Sequence, residues 1–289
     1  MIGTWRFVRA ALAIVAAVHL AASVRAQAVE PPGLVTDVQG AATIAGQGRL
    51  AILAGLAPGA ELSLGPGARV VVVHSSNGRQ FELTGPGAFR WAGGAIEVVR
   101  PGQLAVREST SAVFSSVRLR TARLAQASIV MRGRAEEGGV RLVSPVSTWL
   151  LERPASFRWQ PVPGVGEYRF QLTDSTGKPL HEVRTAAASA ELPAGIALEV
   201  GRTYGWQVKA ELPGGKTIEG WTEFGLAAPE LRARVESARP AAGTTFSDRL
   251  LYGLLLEELG MREEAVKLWT QLAGERPDDP DLRARAQGR

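Results

Sequence analysis

The 289-residue chain contains no cysteine. That absence removes disulfides, thiolate nucleophiles and cysteine-ligated zinc or iron–sulfur sites. Histidine is almost as scarce, with His19, His74 and His181 the only three. His19 falls in the N-terminal leader, and two histidines in different segments argue against a histidine-rich metal centre or a nucleophile–histidine triad. Lysine is limited to Lys178, Lys209, Lys216 and Lys267, so the 33 basic residues are mostly dispersed arginines. A dispersed surplus is a poor nucleic-acid footprint. The glycines fall in turns between strand-like runs, and none forms a phosphate-cradling loop ahead of a helical pattern. Asp278-Asp279-Pro280-Asp281 lacks the turn glycine and distal glutamate of a calcium loop, and it reads as a turn and helix cap. No residue is assigned a catalytic, cofactor-binding or metal-binding role, and the expectation is a protein that is not an enzyme and needs no cofactor.

What is present begins with a leader. Arg6 and Arg9 precede an apolar run from Ala10 to Ala22, and a short polar stretch ends in Ala26-Gln27-Ala28. This order is that of a secretory signal over residues 1–28, cleaved after Ala26 or Ala28. His19 and Ser23 interrupt the run short of the roughly 18 apolar residues a membrane span requires, so retention as an anchor is the lesser alternative. The expected location is the periplasm or another exported compartment, with membrane contact only if the leader is retained. Arg6, Arg9 and Arg25 leave with it and no acid does, which lowers the formal charge from +5 to +2.

Residues 29–143 are rich in glycine and β-branched residues and show no helical period. Leu62 to Leu64, Val70 to Val73 and Phe81 to Leu83 read as strands separated by Pro58-Gly59, Pro66-Gly67 and Asn77-Gly78. Asn-Gly between two such runs signals a hairpin, because both residues tolerate positive φ. Gly40, Gly55-Leu56, Gly59, Leu62, Gly67-Ala68, Asn77-Gly78, Phe81 and Leu83 together resemble the FecR-like domain of periplasmic sensory regulators, over roughly residues 34–104. Asn77 departs from that pattern, in which an acidic residue commonly precedes the turn glycine. The resemblance implies a β-rich fold, with solenoid-like winding as one form of it. FecR-type signalling is disfavoured, because only about nine residues precede the apolar run, too few for a cytoplasmic sigma-binding domain. Alternation continues through Val117 to Arg120 and Ser128 to Met131, where Arg118, Arg120, Arg123, Arg132 and Arg134 read as a solvated strand face.

Residues 144–228 alternate more strictly. Phe157-x-Trp159, Tyr168-x-Phe170-x-Leu172 and Tyr204-x-Trp206-x-Val208-x-Ala210 are separated by turns, which is the pattern of a β-sandwich. Leu198-x-x-Gly201-x-x-Tyr204-x-Trp206 resembles the late strands of fibronectin type III domains, with Tyr204 as a corner residue. Trp159, Tyr168, Trp206 and Trp221 are placed in the core by their phase. Trp91 and Trp149 are less constrained, and they are the candidate ligand contacts.

Residues 229–289 change to a helical period. A short helix is expected from Glu230 to Ala238, a linker from Pro240 to Thr244, and then a hairpin. Leu250, Leu251, Leu254, Leu255 and Leu259 form one apolar stripe, Ala265, Leu268, Trp269 and Leu272 another, and Gly260 separates them. Gly253, Gly260, Ala265, Trp269 and Pro277 resemble one tetratricopeptide repeat, over residues 246–279. One repeat cannot bury both its faces, so the Glu230 helix, a tail helix over 281–286, the sandwich or a partner must cover it. The expected fold class is thus mainly β, with a FecR-like domain, a fibronectin type III-like sandwich and a small helical hairpin. The expected function is a non-catalytic envelope protein that binds other envelope proteins through this hairpin, with glycan or peptidoglycan binding as the alternative.

Overall fold

The computed structural model describes residues 33–107 and 139–288. The arginine-bearing stretch around 118–134 lies outside the described residues.

Among the described residues, ten strands build the first domain: β1 (Gly33–Gln39), β2 (Ala42–Ile44), β3 (Gly48–Arg49), β4 (Gly55–Leu56), β5 (Glu61–Leu64), β6 (Arg69–His74), β7 (Gln80–Thr84), β8 (Gly87–Trp91), β9 (Ile96–Arg100) and β10 (Gln103–Arg107). They form two five-stranded sheets, ordered β10-β7-β6-β1-β4 and β3-β2-β5-β8-β9. Val35, Leu62, Val70, Val72, Phe81, Leu83, Phe89 and Trp91 are buried in a shared core. This corrects the solenoid-like expectation. A solenoid stacks successive coils in parallel, whereas here neighbours such as β6–β7 and β8–β9 pair antiparallel. The Asn77-Gly78 turn also differs in detail. Val73 pairs with Gln80, which leaves a longer loop in which only Gly78 takes positive φ. Asn77 instead accepts a hydrogen bond from the Arg79 amide through Oδ1, at 3.0 Å.

The central strands β1 and β6 are covered on both sides. Val35, Val70 and Val72 face the sandwich interior, while Leu34 and Val73 join a separate core made with the helices. Continuous apolar runs such as Val70-Val71-Val72-Val73 are what a strand buried on both faces needs.

The second domain has β11 (Leu142–Ser144), β12 (Thr148–Leu150), β13 (Ser156–Trp159), β14 (Tyr168–Asp174), β15 (Pro179–Thr185), β16 (Ser189–Glu191), β17 (Thr203–Glu211) and β18 (Thr217–Leu226). A three-stranded sheet, β11-β13-β16, faces a five-stranded sheet, β12-β18-β17-β14-β15. All pairings are antiparallel except β12 with β18. Val140 already belongs to this core, so the domain starts a few residues before 144. Phe157 anchors the centre, with ring centroids 4.8 Å from Phe170 and 5.3 Å from Trp206. Tyr204 takes the corner position, its hydroxyl accepting from the Glu199 amide at 2.6 Å. That bond returns the β17 entry to the upstream loop.

Four helices follow: α1 (Pro229–Ala238), α2 (Phe246–Glu258), α3 (Arg262–Glu275) and α4 (Pro280–Ala286). Thr245 caps α2 by accepting from the Asp248 amide, and Asp279 caps α4 by accepting from the Asp281 and Leu282 amides. Gly260, at φ +73°, ends α2. The Met261 amide donates to the Leu256 carbonyl at 2.8 Å and the Gly260 amide to the Glu257 carbonyl at 3.0 Å. This is the paired closure of a Schellman motif, which satisfies carbonyls the helix leaves open.

The corner bond gives a direct test of the sandwich. Tyr204→Phe is expected to lower stability by about 1 kcal/mol, the ordinary net worth of one hydrogen bond. Thermal unfolding followed by circular dichroism measures it.

Candidate functional site

The most heavily built surface is the junction between the helices and both sandwiches. Leu250, Leu251, Leu254 and Leu255 of α2, and Ala265, Trp269 and Leu272 of α3, are buried in one core. Val235 and Ala238 of α1 and Leu282 of α4 join it, as do Leu34, Ile52 and Val73 from the first domain. Trp149 and Leu151, from the second, pack on its edge. The hairpin's apolar stripes are therefore covered by the chain's own elements.

Polar contacts fix the register of this junction. Toward the first domain, Thr36 donates through Oγ1 to Ser247 Oγ at 2.9 Å. Gln80 donates through Nε2 to Asp248 at 2.9 Å, and Arg276 grips Asp37 with two bonds at 2.9 and 3.0 Å. The Arg276 guanidinium also lies over the Phe246 ring, 4.5 Å from its centroid. Toward the second domain, the Trp149 amide donates to the Gly260 carbonyl at 2.9 Å. Ser144 donates through Oγ to Glu263 at 2.7 Å, and the Arg232 guanidinium donates to the Leu151 carbonyl.

Trp149, one of the two candidate ligand contacts, is half-buried and serves as the wedge. A Cβ at Gly225 would stand 2.3 Å from its ring and one at Gly260 3.1 Å. The indole thus fits between two glycines of different domains, and larger residues at either position would expel it. Trp91, the other candidate, is fully buried. Its ring meets Phe81 edge-on, with centroids 5.5 Å apart, and its indole nitrogen has no hydrogen-bond partner. Trp91, less constrained in the sequence, is thus a core residue. β8 alternates Phe89 and Trp91 toward the core, a phase that a five-residue strand states only weakly in sequence.

Two clefts flank the junction. One, of about 280 Å³, is lined by Asp37, Arg69, Glu82, Arg249, Glu275 and Arg276 among others. The second, of about 610 Å³, lies between the Arg49–Ile52 loop and Pro277–Arg283. The charges of the first are used internally. Arg69 meets Glu82 at 2.7 Å and Arg249 meets Glu275 at 2.5 Å. The hydrogen bond from Arg69 holds the Glu82 carboxyl below the ordinary carboxylate range, and Arg249 does the same for Glu275. Burial pushes Asp281 the opposite way. Among the described residues no three metal-ligating side chains gather in one place. His74 closes the end of β6, its Nδ1 accepting from the Ser76 amide at 3.2 Å.

A different surface came out of phase with expectation. Trp159, Tyr168 and Trp206 are core residues, whereas Trp221 is 62% exposed. In β18 the inward residues are Ile218, Thr222 and Phe224, so Trp221 must face out with Glu219 and Glu223. Counting by twos back from Phe224 would have found this. Trp221 sits opposite Gln207, Gln207 opposite Gln171, and Gln171 opposite Glu182, one row across four strands.

No protein-family model and no curated protein matches this chain. Among solved structures it is similar to the crystal structure of CopC from Methylosinus trichosporium OB3b, at 23% identity over 30% of this chain and 93% of that one, with a TM-score of 0.25. It is also similar to the solution structure of the fn3 domain of the human collagen alpha-1(XX) chain, at 25% identity over 37% of this chain and 88% of that one, TM-score 0.21. The sandwich architecture itself is read from the strand pairing.

The ion pairs at the first cleft make acid the condition that loosens it. Carboxyls held low in the folded state contribute stability above their unfolded pKa and lose it as pH falls through the folded value. Glu82 and Glu275 are of this kind, each pair worth up to about 1 kcal/mol because both are partly solvated. Asp281, raised by burial, works weakly in the other direction. The melting temperature is expected to fall from pH 5 toward pH 3, and Glu82→Gln with Glu275→Gln should flatten that slope while lowering the plateau near pH 7.

Proposed function

We propose that this chain is an exported, non-catalytic binding protein in which the helical module is a joint holding two β-sandwiches in one arrangement. The observation that carries this reading is the burial of the hairpin's stripes against elements of both domains, Leu34 and Val73 on one side and Trp149 and Leu151 on the other. A helical pair used only as an exposed adaptor would leave an apolar stripe for its partner. Here the outward residues of α3 are polar, Lys267, Thr270 and Gln271 among them. Contact with other envelope proteins in this reading falls to that polar face of the hairpin. Export is supported by the leader composition, and a FecR-like origin for the first domain rests on its sequence pattern alone.

A photocrosslinking residue at Gln271, introduced in intact cells, tests both halves. The reading expects a mature chain beginning at Gln27 or Val29 and one discrete envelope protein attached at Gln271, lost when Lys267 and Thr270 are both replaced by glutamate. A chain retained in the cytoplasm, or no adduct from this face, would contradict it.

A further inference from the structure

The outer face of the five-stranded sheet carries a group of side chains that the joint does not use. Trp221 projects from β18 and leans across β17 over Gly205, where a Cβ would stand 3.3 Å from the indole Nε1 and 2.9 Å from Thr173 Oγ1. The missing side chain at Gly205 is what lets the indole lie low on the sheet instead of standing away from it. Beside it runs an oriented chain of polar heads. Gln207 donates through Nε2 to Gln171 Oε1 at 2.5 Å, Gln171 donates to Glu182 at 3.3 Å, and Arg169 fixes Glu182 from the other side at 2.6 Å.

This chain is directional, so its free ends fall next to the indole. Among the described residues neither Gln207 Oε1 nor the Trp221 Nε1–H has a protein partner. What sets Trp221 apart from an ordinary exposed hydrophobic is the combination of an indole laid over Gly205 and an unpartnered amide oxygen beside it. We propose that Trp221, Gln207, Gln171 and Glu182 form a binding platform for an uncharged polysaccharide, with a pyranose ring stacked on the indole and its hydroxyl rim met by the amide row.

Three features choose this occupant. Around the indole the strand backbone is already paired, β17 on both sides and β14 on both sides, so Trp221 and the two glutamines lie away from the β15 edge where a strand could add. Its cations are neutralised: Arg169 pairs with Glu182 at 2.5 Å and Lys209 with Glu219 at 3.2 Å, while Glu223 adds a further negative charge. An anionic polymer would meet no positive surplus. The row also spans three strand spacings, about 14 Å, which gives an extended chain more than one contact point. A sugar presents an apolar ring face bordered by hydroxyls that both donate and accept, the combination the indole and the two glutamines complement.

Affinity electrophoresis of the full mature chain tests the site, run through gels containing hydroxyethylcellulose, glycogen or galactomannan, with alginate as the anionic comparison. The platform predicts retardation by at least one neutral polymer and none by alginate. Trp221→Ala should weaken that retardation by about tenfold or more, as loss of a central aromatic contact does. Trp221→Phe should retain part of it, and Gln207→Ala should weaken it less. Because Trp221 is exposed, an unchanged melting temperature for Trp221→Ala separates lost binding from lost fold. Passage through all three neutral gels without retardation overturns the proposal. So does equal retardation of Trp221→Ala, retardation by alginate alone, or a Trp221-dependent change in oligomeric state with no polymer binding. None of these outcomes bears on the crosslinking result at Gln271, so the two readings fail separately.

Discussion

A two-helix hairpin has more apolar surface than it can bury against itself, and the position of that surplus governs the arrangement of this protein. Leaving Leu250, Leu251, Leu254 and Leu255 in water would forfeit about 2 kcal/mol each. The chain covers them from three directions, with α1 and α4 at the flanks, β1 and β6 of the first sandwich on one side and the Trp149 edge of the second on the other. Because β1 and β6 already belong to a sandwich, they must be apolar on both faces to serve here. Leu34 and Val35 are adjacent residues pointing into different cores, so β1 serves the sandwich and the helical junction at once, and Val73 of β6 does the same beside Val72.

The polar contacts around this core have a different role. Arg276 with Asp37, Gln80 with Asp248 and Thr36 with Ser247 add little net stability as formed pairs, because burying Asp37, Thr36 and Ser247 costs their hydration, although removing one partner would leave the other buried and unpaired. Their value lies in selecting one register for a largely aliphatic contact that could slide. The backbone bond from Trp149 to Gly260 does the same on the opposite side, using a carbonyl freed by the helix-ending glycine. That position must satisfy two demands: a positive φ for the α2 terminus, and no side chain where the indole enters.

Much of the architecture was legible in sequence. The alternation over 168–172 and 204–210 is met by β14 and β17, the Tyr204 corner is present, and Gly260 ends α2. Period-2 and period-3.6 patterns survive in tertiary context because each follows from one buried face. What was hidden depended on long-range pairing. The sheet order of the first domain cannot be read from turn glycines, which punctuate a sandwich and a coil alike. Trp149 looked free because its packing partners, Gly225 and Gly260, are 76 and 111 residues further along the chain. Trp91 occupies a core slot defined by Phe81 and Gly33, strands apart in sequence. The four-valine run of β6 was a readable sign of two-sided burial, and the parity of Trp221 against Phe224 was a readable sign of exposure.

The joint is the central claim, and the absence of cysteine makes it measurable, since any introduced thiol is unique. Spin labels at Val99→Cys in the first sandwich and Lys216→Cys in the second, both exposed positions, report the inter-domain distance by double electron–electron resonance. A single narrow distance distribution is the predicted result, broadening when Trp149→Ala removes the wedge. A broad or multi-peaked distribution in the otherwise unaltered chain, with the helices intact by circular dichroism, would contradict a fixed joint.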